Sequence, residues 1–89
     1  MTMSKREIIE NICYTDLVYG RINKKLNISF SKEQIEGFLG RVLKETDESC
    51  FIRKGKNFYV FNTENNIRIT INSNTFRIIT VDRIKESGS

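Results

Sequence analysis

At Cys50 the apolar residues of this chain change their period from 3.6 to 2, and from there to the C-terminus they alternate in short runs parted by turns rich in Asn and Gly. Only a sheet of antiparallel hairpins satisfies that pattern. A two-residue turn at Glu64 and Asn65 sets Phe58 opposite Ile71 and Val60 opposite Ile69. A second, at Ser73 and Asn74, sets Ile71 opposite Phe76, Ile69 opposite Ile78 and Thr70 opposite Arg77. Both registers put Phe58, Val60, Ile67, Ile69, Ile71, Phe76 and Ile78 on one face, which reads as the core face. A first strand, about Cys50 to Lys54, joins through Gly55. Turns of two and of three residues there point Phe51 and Ile52 in opposite directions, and the sequence leaves both open.

Helices must supply the other half of the core, and in a chain with no proline their boundaries are written in caps. Ser4 with Glu7 is a capping box with Met3 and Ile8 at its staple positions, and Ile8, Ile9 and Ile12 form an apolar face beyond it. Tyr14 to Asp16 offers a fresh cap before Val18, Ile22 and Leu26, so residues 5–26 form one kinked helix or two short ones. Ser31 with Gln34 repeats the box and Phe30 with Ile35 the staple. Ile35, Phe38, Leu39, Val42 and Leu43 then give the i, i+3, i+4, i+7, i+8 spacing of one buried stripe. The expected architecture is α+β: two or three N-terminal helices packed on one face of a four-stranded antiparallel meander in the order 1-2-3-4. With 89 residues it is read as one domain over residues 1–86, and the ESGS end gives a flexible tail at 87–89.

The same registers give the sheet an unusual second face. It displays Tyr59, Phe61, Arg68, Thr70, Arg77, Ile79 and Val81, with Phe61, Arg68 and Ile79 in one cross-strand row and Tyr59, Thr70 and Arg77 in the next. Lys54 and Lys56 flank it on the Gly55 turn. Aromatics interleaved with arginines are what a platform for RNA or single-stranded DNA needs, because bases stack on rings while guanidinium groups hold phosphates. The same residues suit a protein partner or a homodimer, with the arginine stems lying over the rings. Charge adds a pointer to an anionic partner: residues 1–49 balance, and the whole net +4 arises from Arg53, Lys54, Lys56, Arg68, Arg77, Arg83 and Lys85 against Glu64, Asp82 and Glu86.

Several chemistries lose their usual residues. With no histidine, the commonest general base, Ser-His triads and imidazole metal sites are ruled out, and no metal or cofactor is expected. Glu7, Glu10, Glu33, Glu36, Asp47 and Glu48 fall on caps and polar helix faces as solvated charge. Cys13 and Cys50 stand apart from each other, and read as reduced thiols packed as small hydrophobes. No run is long enough for a membrane span, and the charged N-terminus does not suit a signal peptide, so a cytoplasmic location is expected. Gly37-Phe38-Leu39-Gly40 has the spacing of a G-x-x-G nucleic-acid clamp, but its apolar pair is in phase with the helix stripe, so it reads as helix. Its glycines then lie opposite the stripe. Asn27-Ile28-Ser29 is a glycosylation sequon without a secretory context, and Lys54-Gly55-Lys56 is a basic hairpin turn.

A histidine-free nuclease would have to rely on Lys54, Lys56, Tyr59, Arg68 and Arg77, with cations on the phosphate and a phenol moving the proton. In layout alone, helices and then an Arg- and Tyr-rich meander, the chain resembles the small messenger-cleaving toxins of toxin–antitoxin pairs, although it lacks their leading strand. A closer resemblance rests on Asn11 to Leu26, NICYTDLVYGRINKKL, and Gly55 to Lys85, GKNFYVFNTENNIRITINSNTFRIITVDRIK. These segments look like a small bacterial family classified only as a domain of unknown function. That resemblance implies a stand-alone domain in a bacterial cytoplasm, and it brings no assigned activity, cofactor or catalytic residue to carry over. The sequence therefore points to a small non-enzymatic binding or regulatory module acting through the outer sheet face. Protein or self-association comes first, RNA or single-stranded DNA second, and ribonuclease activity third.

Overall fold

The computed structural model describes residues 5–84. The Ser4 cap, its Met3 staple and the tail at 87–89 lie outside the described residues. Three α-helices, α1 (Lys5–Asn11), α2 (Asp16–Leu26) and α3 (Lys32–Glu45), precede a 3-10 turn at Glu48–Cys50 and four strands, β1 (Phe51–Lys54), β2 (Asn57–Asn62), β3 (Ile67–Asn72) and β4 (Ile78–Arg83). The strands form one antiparallel sheet in the order β1-β2-β3-β4. Ile8 of α1, Val18, Ile22 and Leu26 of α2, and Ile35, Leu39, Val42 and Leu43 of α3 are buried in one cluster with Phe58, Val60, Ile67, Ile69, Ile71, Ile78 and Val81. The fold is thus the expected α+β arrangement, with the helices on one face of the sheet. Among the described residues, no helix is long and apolar enough to cross a membrane.

Residues 5–26 resolve into two helices, and the break has a cause. Between them the chain is extended at Cys13, whose N–H donates to the Phe76 carbonyl (2.8 Å) and whose carbonyl accepts from the Ile78 N–H (3.0 Å). This single parallel bridge gives the start of β4 a partner and is incompatible with a continuous helix. Cys13 is therefore exposed on the sheet edge and not packed as a small hydrophobe; Cys50 is half-buried, and both thiols are free. The capping box of α3 forms as read, with Ser31 Oγ accepting from Gln34 N–H at 3.1 Å and Gln34 Oε1 accepting from Ser31 N–H at 2.8 Å. Phe30 packs against the core and meets Phe38 edge-on at 6.0 Å.

The β2–β3 register is the expected one, Phe58 opposite Ile71 and Val60 opposite Ile69. The β1–β2 turn has two residues, with Gly55 at φ 64 in the first position, so Phe51 joins the core side and Ile52 the outer side. The β3–β4 register differs from expectation. Ile71 pairs with Ile78, Thr70 with Thr80, Ile69 with Val81 and Arg68 with Asp82, and Ile79 is the extra residue of a bulge. The side chain of Asn72 is responsible. Its Oδ1 accepts from the N–H groups of Asn74 (2.8 Å) and Thr75 (2.9 Å), and its backbone closes on Arg77 and Phe76, so a longer loop replaces the two-residue turn at Ser73 and Asn74. Phe76 sits in that loop with φ 60, a conformation unfavourable for an aromatic residue, and packs against the core from there instead of from a strand.

Gly20 and Gly37 are exposed on α2 and α3, and a Cβ at either would meet nothing within 4 Å. No close backbone approach explains them. Each Gly→Ala change should stabilise the fold by about 0.5 to 1 kcal/mol through helix propensity and a less flexible unfolded chain. In thermal melts, Gly20→Ala and Gly37→Ala should each raise Tm by several degrees; an unchanged or lower Tm would show that these glycines serve some other purpose.

Candidate functional site

Strand alternation sends Ile52, Lys54, Tyr59, Phe61, Arg68, Thr70, Thr80 and Asp82 to the side of the sheet away from the helices. No described element covers this face. Its middle row is Ile52, Tyr59, Thr70 and Thr80, and beside it run Phe61, Arg68 and Asp82. Tyr59 and Phe61 are half-buried among their neighbours, whereas Ile52 is 48% exposed. The Arg68 guanidinium lies over the Tyr59 ring, 5.9 Å from its centroid, and Nη2 is 3.4 Å from Asp82 Oδ2. Asp82 Oδ1 also meets Lys25 Nζ, reaching round from α2, at 3.1 Å. At the end of the face Phe61, Arg68, Asp82, Arg83 and Ile84 line a shallow hollow of about 360 Å³.

The expected site residues separate into three places. Tyr59, Phe61 and Arg68 share the outer face as read. Lys54 ends β1 on that side and Lys56 comes after Gly55 in the turn, so with Arg53 they make a basic hairpin that has no ion-pair partner among the described residues. Arg77 and Ile79 do not join the rows assigned to them, because the longer loop and the bulge put Thr80 opposite Thr70 and Asp82 opposite Arg68. Both instead line a groove against α2 with Thr15, Leu17, Val18 and Arg21. Val81, expected on the outer face, is fully buried opposite Ile69. Tyr59 and Arg68 therefore share no row with Arg77, and a nuclease constellation drawn from all five cations and phenols is not assembled in one place.

Sequence reasoning missed Asp82, which turns Arg68 from a free cation into half of an ion pair. Its signal was present: with the loop lengthened, Arg68 and Asp82 are cross-strand partners of opposite charge. A second missed cluster lies where α2 meets α3. Tyr14 and Tyr19 stack at 5.6 Å, Lys32 Nζ lies 5.3 Å from the Tyr19 centroid, and Tyr19 Oη donates to Glu36 at 2.6 Å. The bond to the Glu36 carboxylate holds the Tyr19 phenol up to about 12, and burial raises Tyr14 further. Both hydroxyls stay protonated at neutral pH, and the Tyr19–Glu36 bond joins α2 to α3.

A family model described as a protein of unknown function, DUF3781, matches residues 6–82. No curated protein and no solved structure matches the chain.

Proposed function

The chain belongs to the DUF3781 family, proteins of unknown function, and we propose that it is a small non-enzymatic binding module of the bacterial cytoplasm whose outer sheet face docks a protein surface, foremost that of a second copy. The observation that carries this reading is the internal pairing of Arg68 with Asp82 beside Tyr59, which neutralises the row next to Phe61, while Ile52 stands exposed at the β1 edge of the same face. A cation and an anion side by side in one row also suit a two-fold copy, since each then faces its opposite across the interface.

Light scattering over a concentration series, at low and high salt, tests this. A reversible increase in mass that survives salt is expected, because apolar contacts dominate such an interface. Ile52→Asp and Tyr59→Ala should each weaken it by about 2 kcal/mol, roughly thirtyfold in Kd, with unchanged circular dichroism. A chain that stays monomeric and ignores both substitutions overturns the reading.

A second reading has its own support in the unpaired Lys54 and Lys56 on the hairpin beside Ile52 and Tyr59, a cationic rim next to a stacking ring. Single-stranded nucleic acid would bind there with affinity falling steeply as salt rises. With three Tyr and no Trp, the protein absorbs little at 280 nm, so bound nucleic acid would pull the peak of low-salt material toward 260 nm. A clean protein spectrum leaves the protein-docking reading alone.

A further inference from the structure

The bulge in β4 creates a second surface, distinct from the outer face. An extra residue in a strand re-aims its side chain, and here the residue is Ile79, 40% exposed and brought beside the first turns of α2. There it shares a groove of about 270 Å³ with Leu17 and Val18. Leu17 is 83% exposed, the most of any large hydrophobic among the described residues. A helix already burying Val18, Ile22 and Leu26 gains nothing in the core from a leucine at that position. Arg21 and Arg77 line the same groove, both exposed, and neither has an ion-pair partner among the described residues. Asp16, in the first turn of α2, is the nearest carboxylate in sequence and does not line it.

We propose that this groove docks an acidic peptide segment carrying a large apolar side chain, with the apolar group between Leu17 and Ile79 and flanking carboxylates on Arg21 and Arg77. Charge complementarity selects this occupant. Two unpaired guanidinium groups beside an aliphatic floor call for carboxylates next to an apolar anchor. A nucleic-acid strand would find phosphate contacts but no ring on which to stack a base. A second copy docking through the same groove would bring arginines against arginines, which costs affinity. The Cys13 bridge holds Arg77 in place through backbone bonds alone, so the guanidinium is free for a partner without loss of structure.

The test is an amide chemical-shift titration of the labelled protein with the hexapeptide Asp-Glu-Leu-Leu-Glu-Asp, beside a control with serines for the leucines. Shifts should concentrate at residues 15–21 and 77–79 and be far smaller with the control. Arg21→Glu with Arg77→Glu should weaken binding by roughly tenfold or more, through lost attraction and added repulsion. Leu17→Ser should weaken it with little change in salt dependence. All three positions are exposed, so the variants should melt like the parent. The proposal is overturned by absent or scattered shifts, by equal binding of the serine control, or by indifference to charge reversal. It is equally overturned if oligouridylate, or protein concentration alone, moves these amides in place of the peptide. None of these outcomes bears on Ile52 or Tyr59, so the outer-face reading stands or falls separately.

Discussion

Ile69→Ala should come close to unfolding the protein. Ile69 is fully buried at the centre of β3, paired with Val60 on one side and Val81 on the other, in the cluster to which all three helices contribute. Removing its branched side chain loses the transfer energy of the deleted methyl groups and leaves a cavity that a sheet held from both sides cannot close. The expected cost is about 2 to 5 kcal/mol. Small domains have total stabilities of roughly 0.05 to 0.15 kcal/mol per residue, so the variant should melt tens of degrees below the parent or fail to fold. Ile69→Val, which removes one methyl group, should cost only about 0.5 to 1.5 kcal/mol. If urea denaturation places Ile69→Ala within about 1 kcal/mol of the parent, the sheet is not packed as described.

That Ile69 lies at this centre is legible in the sequence alone, and the reason is local. Strand alternation has only two phases, and Phe58, Val60, Ile67, Ile69 and Ile71 occupy one of them without exception. The caps of α3 are legible for the same reason, since Ser31 and Gln34 act on backbone groups three residues away. The features that escape the sequence are decided at longer range. Counting outward from Ser73 and Asn74 assumes that the shortest turn wins, whereas the Asn72 side-chain oxygen accepts from the N–H groups of Asn74 and Thr75 and lengthens the loop. The bulge at Ile79 then absorbs the difference, so Ile78 keeps its core place while Val81 moves inside and Asp82 outside. One misjudged turn thus displaces Arg77 and Ile79 from the candidate site, conceals the partner of Arg68, and hides the groove against α2. The extended residue at Cys13 is equally illegible, because its hydrogen bonds reach across the chain to Phe76 and Ile78.

The second large effect comes from a buried polar pair that hydrophobic patterning passes over, Asn62 on the core side of β2 and Thr46 at the C-cap of α3. Asn62 and Thr46 are 3% and 4% exposed. Asn62 Nδ2 donates to Thr46 Oγ1 at 2.8 Å, and Thr46 Oγ1 donates to the Val42 carbonyl at 2.6 Å in the last turn of α3. Asn62 Oδ1 accepts from the Asn65 N–H at 2.7 Å and from Asn65 Nδ2 at 2.9 Å. One side chain therefore ties the C-terminus of the longest helix to the turn between the two central strands. Asn62→Ala leaves three donors and acceptors to find other partners in a nearly dry site, and should cost about 2 to 3 kcal/mol. Thr46→Val should cost about 1 to 2 kcal/mol, since it removes a bond to a carbonyl that already accepts the Thr46 N–H at 3.0 Å. The decisive quantity is their coupling. If the bond between them contributes, the double variant should be less destabilised than the sum of the singles by roughly 0.5 to 1.5 kcal/mol in denaturant titrations. Strict additivity would mean that Asn62 acts only on its own turn and that α3 is fastened to the sheet by apolar packing alone.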